Sequence, residues 1–449
     1  MAAPVVRGTE LRAAFAARLS TMYGGEVPQY TTLVEVAHEV NADVLAREGS
    51  AAERLGDIDR VTAERHGAIR VGTPGELAAV GRLFAAMGMH PVGCYDLRDA
   101  DPAPLPVVST AFRPVDPAEL SANPFRVFTS VLVPEDPRFF DADLGVRVAA
   151  FLAARELFPP ELLDLADRAA ADGGLPADDA ERFLALATAA FALSREPVDR
   201  AWYGELTRVS AVAADIAGVR STHVNHLTPR VLDIDLLYAR MQERGITMID
   251  EIQGPPRWPG PDLLLRQTSF RALAEPRPVR AEDGTVVPGE LRVRFGEVEA
   301  RGIAVTPAGR DLVDPLPADP GAWAAAVPST ERDLARAGLA WFTAAPGGRA
   351  DELTRAGRRP PRDRDALVDE GWVRLAPVVY EDFLPRSAAG IFRSNLSDDG
   401  RADRTAEGVR RDADWLTGAL GRPLHDPMDL YREQVEKSWV TTLSGLGAT

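Results

Sequence analysis

Residues 66–88 read HGAIRVGTPGELAAVGRLFAAMG and combine a short strand with the helix that follows it. The strand pattern closes at Gly72, and the next residue, Thr73, is a good N-cap for a helix. Glu76 stands three residues after Thr73, which is the spacing of a capping box. Gly88 is the expected end of this helix, because glycine readily adopts the left-handed conformation that closes helices. The stretch therefore predicts one strand and one helix in direct succession.

This strand and helix open a block of elements whose order occurs twice in the chain. Further strand patterns follow the helix at 90–97, 105–115 and 124–133. The second block consists of a strand, a helix and three more strands, at 222–234, 235–245, 263–273 and, for the last pair, within 284–305. The two blocks predict an α+β fold in which two β-α-β-β-β units form a half-open barrel around a metal, the vicinal-oxygen-chelate arrangement.

Helical patterns surround and separate the two blocks. We expect helices before the first unit, between the units and after the second unit, with a strand that returns near 371–396. The predicted boundaries are 1–60 for the N-terminal helices, 61–140 for the first unit, 141–215 for a helical insertion, 216–310 for the second unit and 311–449 for the C-terminal region.

The composition excludes several classes of protein. The chain has 449 residues and a net charge of −16 at pH 7, so we expect no binding to nucleic acid or to anionic membranes. Of its 51 basic residues only Lys437 is a lysine, and no glycine loop precedes it. A phosphate-binding loop and a Schiff-base site both need a suitably placed lysine, so both are disfavoured. Cys94 is the single cysteine and no apolar run is long enough to span a membrane, which predicts a cytoplasmic location.

Two of the six histidines occupy the same place in the two blocks. His66 opens the first strand of the first block, and Arg70 lies on the same face because alternate strand residues share a face. His226 lies in the first strand of the second block. Glu297 and Glu299 share one face of the last strand of that block. Two histidines and one carboxylate, with open positions beside them, are the ligands of non-haem iron(II) sites.

The residue pattern by itself leaves alternatives open. Strand geometry does not choose between Glu297 and Glu299, and both could be solvated on an edge strand. A histidine at the start of a strand is more often an ordinary polar residue than a ligand. His223 is expected on the opposite face from His226 if the strand is regular there. The sequence contains no HExxH or CxxC pair that would indicate a metal by local spacing.

Five motifs occur in a fixed order along the chain. They are ERHGAIRVGT (64–73), HVNHLTPRVLDID (223–235), LLLRQTSFRAL (263–273), RFGEVEARGIAVTPAGR (294–310) and YEDFLPRSAAGIFRSNL (380–396). Through these motifs the chain resembles the 2-oxoadipate dioxygenase/decarboxylase family, also called D-2-hydroxyglutarate synthase. The resemblance is specific because separate motifs along most of the chain carry it.

The resemblance implies a vicinal-oxygen-chelate-like core with one bound iron(II). It implies that His66, His226 and Glu297 are the metal ligands, with both histidines bordering the substrate. It also implies that the guanidinium of Arg70 holds a carboxylate of the substrate. The implied reaction combines a 2-oxo acid, above all 2-oxoadipate, with O2. It yields CO2 and a 2-hydroxy acid one carbon shorter, D-2-hydroxyglutarate, in lysine catabolism.

The chain departs from the family pattern at Arg386, where the family usually has a small apolar residue. The resemblance places Arg386 and Ser387 in a loop that contacts the substrate. An inward Arg386 would add a second carboxylate anchor or shorten the pocket, whereas an outward one would leave the contact to the backbone. Other readings are the same chemistry on a different 2-oxo acid, an oxygen-independent metal isomerase or lyase, and a non-enzymatic ligand-binding protein. A homo-oligomer is compatible with all of them.

Overall fold

The protein is a mixed α+β fold. The computed structural model describes residues 5–100, 104–384, 387, 391, 394–395, 402–403 and 405–447. In this part of the chain no helix has the length and apolar character needed to cross a membrane.

The described helices occur before, between and after the strands. They are α1 Gly8–Glu26, α2 Pro28–Glu48, α3 Ile58–Ala63, α4 Pro74–Ala85, α5 Pro117–Ala122, α6 Ala142–Ala153, α7 Pro160–Asp172, α8 Ala177–Ala190, α9 Arg200–Thr207, α10 Ala211–Ala217, α11 Ile234–Glu243, α12 Pro307–Val313, α13 Pro320–Ala326, α14 Glu331–Arg336, α15 Ala350–Arg355, α16 Arg364–Asp369, α17 Ala413–Leu420 and α18 Pro427–Gly445. A short 3-10 helix covers Gly49–Ala51.

The described strands range from two to seven residues. They are β1 Val5–Arg7, β2 Arg65–Val71, β3 His90–Asp96, β4 Val107–Arg113, β5 Arg126–Leu132, β6 Gly174–Pro176, β7 Val198–Asp199, β8 His226–Pro229, β9 Leu265–Phe270, β10 Glu275–Arg280, β11 Val286–Leu291, β12 Gly296–Arg301, β13 Phe342–Pro346 and β14 Val373–Pro377.

The strand and helix at the start of the first block form as the sequence predicts. The Thr73 side chain accepts a hydrogen bond from the Glu76 N–H at 3.1 Å, and the Glu76 carboxylate accepts one from the Thr73 N–H at 3.2 Å. This capping box satisfies two backbone donors that the first turn of α4 leaves without partners. The helix ends at Ala85, and Gly88 follows in the left-handed region with φ of 66°. The local sequence therefore sets both ends of this helix.

The largest sheet joins the two blocks. Its strand order is β3-β4-β5-β2-β8, with β2 parallel to β5 and antiparallel to β8. Because β8 opens the second block, both blocks contribute to one sheet. Directly after β8, Arg230 bridges to Glu299 of β12, and the Val231 N–H donates to the Glu299 carbonyl at 2.8 Å. Through this contact β12 and its antiparallel partner β9 lie alongside the large sheet.

The second block has one strand more than the sequence predicts. Strand β11 pairs with β10, which the sequence analysis missed, and β10 also pairs with β7 of the helical insertion. Pro276 and Pro278 obscure the strand pattern of β10, since proline is disfavoured in paired strands. Gly284, with φ of 84°, lies in the turn between β10 and β11. The strands of the described residues do not close into a barrel.

The two faces of β2 have different roles. Ile69 and Val71 point into the largest apolar cluster, which also contains side chains of α1, α2 and α4. His66, Ala68 and Arg70 alternate with them and point to the other face. All five are buried. The sheet therefore has the largest apolar core on one side. On the other side a buried polar region lies beside a second, smaller apolar cluster, to which Ala68 belongs.

The C-terminal helix reaches this polar region through Tyr431. After β14 the chain returns along the second block, where the Tyr380 N–H donates to the Gly302 carbonyl at 2.9 Å. The Tyr431 hydroxyl of α18 donates to the Asp382 carboxylate at 2.5 Å and accepts from the Glu381 N–H at 2.8 Å. Helix α18 thus holds the segment that leads to Phe383.

Candidate metal centre

Three side chains from different strands meet on the polar face. His66 of β2, His226 of β8 and Glu297 of β12 each offer a ligand atom, and these atoms lie within 4.8 Å of one another. The antiparallel register pairs Ala68 with His226 and His66 with Thr228, so both imidazoles are on the same face. Their ring centroids are 5.3 Å apart. Sheet pairing thus brings together residues that are 160 positions apart in the sequence (66 to 226).

The Glu297 carboxylate lies between the two imidazoles. One oxygen is 3.4 Å from Nε2 of His66, and the other is 3.5 Å from Nδ1 of His226. Gln267 of β9 donates its side-chain N–H to Glu297 at 2.5 Å and so fixes the carboxylate. All three candidate ligands are at most 4% exposed. The cluster is therefore screened from bulk water.

Glu299 has a different position from Glu297. Its carboxylate accepts a hydrogen bond from Nδ1 of His66 at 2.8 Å, which leaves Nε2 of His66 facing Glu297. Arg301 in turn donates to Glu299 at 2.7 and 3.0 Å. A carboxylate on the outer nitrogen of a ligating histidine fixes its tautomer and raises its basicity as a ligand. Glu299 is placed to orient His66.

The donor set fits a divalent transition metal. Neither ring nitrogen of buried His226 has a hydrogen-bond partner in the described part of the chain. A buried polar group without a partner costs free energy, and a metal ion would satisfy it. Two imidazoles and one carboxylate suit iron(II) and related ions and leave coordination positions open. The residues therefore fit the cofactor implied by the resemblance.

Burial shifts the pKa values of two candidate ligands in opposite directions. Burial, with the neighbouring charges of His66 and Arg70, holds the pKa of His226 well below its ordinary value, so the ring is neutral and able to ligate. Burial also raises the pKa of the Glu297 carboxyl. A cation beside Glu297 favours its ionised form, because opposite charges attract strongly in a buried site.

Arg70 is buried beside the candidate ligands and pairs with Asp215. Its guanidinium contacts the Asp215 carboxylate, which comes from α10 of the insertion. His223 lies on this side of the sheet, because its Nε2 is 3.1 Å from an oxygen of Asp215. The sequence placed His223 on the opposite face only for a strand that is regular there. The regular strand begins at His226, so this alternation does not extend to His223.

The segment after β14 covers the candidate centre. The Phe383 ring packs edge-on against the His66 ring, with centroids 4.9 Å apart. Ser387 is buried and, with Leu384 and Arg310, lines a cavity of about 510 Å³. None of the three candidate ligands lines this cavity, and neither does Arg70. Arg386 lies outside the described residues, so the orientation of its side chain remains a prediction.

Comparison with known proteins identifies the family. The family model described as 2-oxoadipate dioxygenase/decarboxylase matches residues 15–395. This chain belongs to that family. A relative of that name from Mycobacterium tuberculosis is 62% identical over 425 residues, which cover 94% of this chain and 95% of the relative. Another of that name, from Escherichia coli, is 40% identical over 452 residues, covering 96% of this chain and 98% of the relative.

Solved structures agree with the 2-oxoadipate dioxygenase/decarboxylase family. The hydroxyglutarate synthase of Pseudomonas putida in complex with 2-oxoadipate has a TM-score of 0.83 and 37% identity, covering 99% of both chains. A putative glyoxalase superfamily protein from Ralstonia eutropha has a TM-score of 0.50 and 22% identity, covering 67% of this chain and 87% of that chain. The second likeness concerns the fold alone.

Sequence reasoning missed several residues of this family member's polar region. Asp215 lies in a helix pattern of the insertion, and Gln267 carries no charge that would single it out. Both approach the centre only through tertiary contacts with Arg70 and Glu297. The strand alternation of β9 places Gln267 and Ser269 on one face, which was the only available signal for Gln267.

A buried network of charges underlies the candidate centre. Glu64, directly before β2, pairs with Arg126 at 2.7 Å and with Arg230 at 3.0 Å. Arg126 also contacts Glu381 of the segment that carries Phe383. Arg301 completes the link from Glu64, at 3.1 Å, to Glu299. The network joins both blocks and the returning segment under His66.

We expect acid to destabilise the protein through this network. Burial pushes the pKa of the Glu64 carboxyl up, but Arg126 and Arg230 outweigh burial and hold it well below its ordinary range. A group with a depressed folded-state pKa contributes stability above its unfolded pKa of about 4.3 and loses it as the pH falls. Calorimetric unfolding temperatures should therefore fall steeply below about pH 4.5. A constant unfolding temperature from neutral pH into this acidic range would contradict the expectation.

Proposed function

We propose that this chain is an iron(II)-dependent decarboxylating dioxygenase that converts 2-oxoadipate and O2 into D-2-hydroxyglutarate and CO2 in lysine catabolism. The observation that carries the proposal is the buried cluster of His66, His226 and Glu297 in a chain of this family. The name of the Mycobacterium relative and the 2-oxoadipate in the Pseudomonas putida complex support the substrate.

The reaction balances without a second organic substrate. A six-carbon 2-oxo diacid and O2 give a five-carbon 2-hydroxy diacid and CO2. Both oxygen atoms of O2 end in the hydroxy acid, because the CO2 leaves with the two oxygens of the original carboxylate. Bound iron(II) would supply the open positions and the redox chemistry for this oxidation. The protein contributes the orientation of the substrate and the exclusion of water.

The side chains divide this work between the two ends of the substrate. His66, His226 and Glu297 hold the metal, and the 2-oxo acid end of the substrate lies beside them. Arg70 binds the far carboxylate, because a guanidinium can pair with a carboxylate through two hydrogen bonds. Phe383 covers His66 and keeps water from that side of the centre. Ser387 and Arg386 would border the substrate from the loop that follows.

The remaining expectations from the sequence belong to the same proposal. The core corresponds to two units of a half-open vicinal-oxygen-chelate barrel, which the fold likeness to a glyoxalase superfamily protein supports. The division at 60, 140, 215 and 310 gives the five parts of the chain. The protein acts in the cytoplasm, and it could do so as a homo-oligomer.

Oxygen uptake with product analysis tests the proposal. The protein is loaded with iron(II) without air and mixed with 2-oxo acids of different length, and O2 consumption is followed on aeration. We expect uptake with 2-oxoadipate in a one-to-one ratio with CO2, and a product of the mass of 2-hydroxyglutarate. Uptake only with another 2-oxo acid would change the substrate and implicate Arg386. Iron binding without uptake for any 2-oxo acid would favour an oxygen-independent isomerase or lyase.

A further inference from the structure

A compact group of buried polar side chains surrounds Asp215. The Asp215 carboxylate contacts the Arg70 guanidinium and accepts a hydrogen bond from the Asn225 amide at 2.9 Å. Its other oxygen lies 3.1 Å from Nε2 of His223. All four residues are at most 4% exposed. Three groups therefore converge on one carboxylate, and one of them is Arg70.

The segment just before β8 holds the backbone and the side-chain partner of Arg70. Thr222 donates its hydroxyl hydrogen to the Arg70 carbonyl at 2.8 Å. His223 and Asn225 hold Asp215, and the next residue is His226. Asp215 itself comes from α10, outside the strand blocks. The five residues 222–226 thus include a candidate metal ligand and the side chains that contact the backbone of Arg70 and its partner Asp215.

Several buried atoms of this group have no hydrogen-bond partner in the described part of the chain. They include Nδ1 of His223 and Oδ1 of Asn225. An unsatisfied buried polar atom destabilises the folded protein, so a group that served packing alone would tend to contain no such atom. Such atoms are common where a protein site meets a ligand or ordered water. The group is therefore built as part of a site.

We propose that Asp215 is a positioning residue that aims the Arg70 guanidinium and thereby sets the length of the 2-oxo diacid that binds. The inference rests on the proposed function, because it takes Arg70 as the anchor of the far carboxylate. One end of the diacid is fixed at the metal ligands and the other at Arg70. The distance between these fixed points selects the number of methylene groups between the two ends.

Rigid placement is necessary for this selection. Arginine has several rotatable bonds, so a guanidinium without a buried partner could follow the carboxylate of a shorter or longer acid. Asp215 removes this freedom through a charged contact away from water. A difference of one methylene group is then worth about 10- to 200-fold in a well-formed site.

Equilibrium binding without oxygen tests the proposal. The iron(II)-loaded wild type and Asp215→Asn are titrated calorimetrically with 2-oxoglutarate, 2-oxoadipate and 2-oxopimelate. The monocarboxylate 2-oxohexanoate is the control ligand, because it has the metal-binding end but no far carboxylate. We expect the wild type to prefer the six-carbon diacid by at least about 10-fold. We expect the variant to bind the three diacids within about 3-fold of one another, with 2-oxohexanoate binding unchanged within about 2-fold.

The ratios of the binding affinities of the three diacids decide the outcome, and their absolute affinities do not. Removing the Asp215 charge also alters the field at Arg70, and this change acts on all three diacids together. Unchanged ratios would overturn the proposal, as would an equal loss for 2-oxohexanoate, which would indicate a merely structural role. Asp215→Glu keeps the charge and should restore part of the discrimination.

His223→Phe gives a second test if Asp215→Asn fails to fold. Phenylalanine keeps the ring volume but removes the nitrogen beside Asp215, so the ratios should flatten in the same direction by a smaller factor. Ratios that match the wild type would contradict the proposal. Because binding is measured without turnover, this result is separate from the oxygen-uptake test of the proposed function.

Discussion

Glu297→Gln should lower both iron(II) retention and turnover of 2-oxoadipate by more than about 100-fold, which exceeds the usual effect of a substitution outside the ligand set. Glutamine preserves the volume of the side chain but replaces the negative oxygen that lies between the two imidazoles. Iron content after anaerobic loading and desalting is the direct measurement. Oxygen uptake with 2-oxoadipate gives the effect on turnover.

Glu299→Gln is the matched control for this prediction. It makes the same chemical change on the same strand face, two residues further on. The amide oxygen of the new glutamine in this variant can still accept a hydrogen bond from Nδ1 of His66. We therefore expect iron(II) retention and turnover to fall by only about 10- to 100-fold, which is typical of residues that orient a ligand. Equal iron loss in the two variants would contradict the assignment of Glu297 as the ligand, and so would full iron retention in Glu297→Gln.

Arg301→Met should lower the free energy of unfolding by about 3–5 kcal/mol, because it leaves buried carboxylates without their partner. Arg301 is 3% exposed and donates to Glu299 at 2.7 and 3.0 Å. It also donates to the backbone carbonyl of Tyr380 at 2.7 Å. Methionine retains much of the aliphatic length, so the loss reflects charge and hydrogen bonding more than volume. Urea denaturation of the metal-free protein at neutral pH measures the change.

Arg182→Met is the control for burial. Arg182 pairs with Glu161 at 2.6 Å, but both side chains are more than half exposed, at 54% and 53%. Water and salt screen such a pair, so its removal should lower the free energy of unfolding far less than Arg301→Met does. If the two variants lost similar amounts of unfolding free energy, the buried network under His66 would contribute no more to stability than a surface pair.

Local sequence predicted the elements that depend on neighbouring residues. Thr73 and Glu76 define the start of α4 because both partners of the capping box lie within one helical turn. The strand β10 was missed because Pro276 and Pro278 interrupt its pattern, and only its pairing with β11 and β7 forms it. The face of His223 does not follow from the sequence, because alternation holds only inside a regular strand, which starts three residues later.

The sequence by itself determined the α+β class, the family and the candidate ligands His66, His226 and Glu297, since motifs and strand alternation are properties of the chain. The tertiary structure decided the distinct places of Glu297 and Glu299, because both lie on one strand face and differ only in what packs against them. It also decided the partner of Arg70. Asp215 is 145 residues away in the sequence, and long-range packing of the insertion against the sheet brings the two charges together.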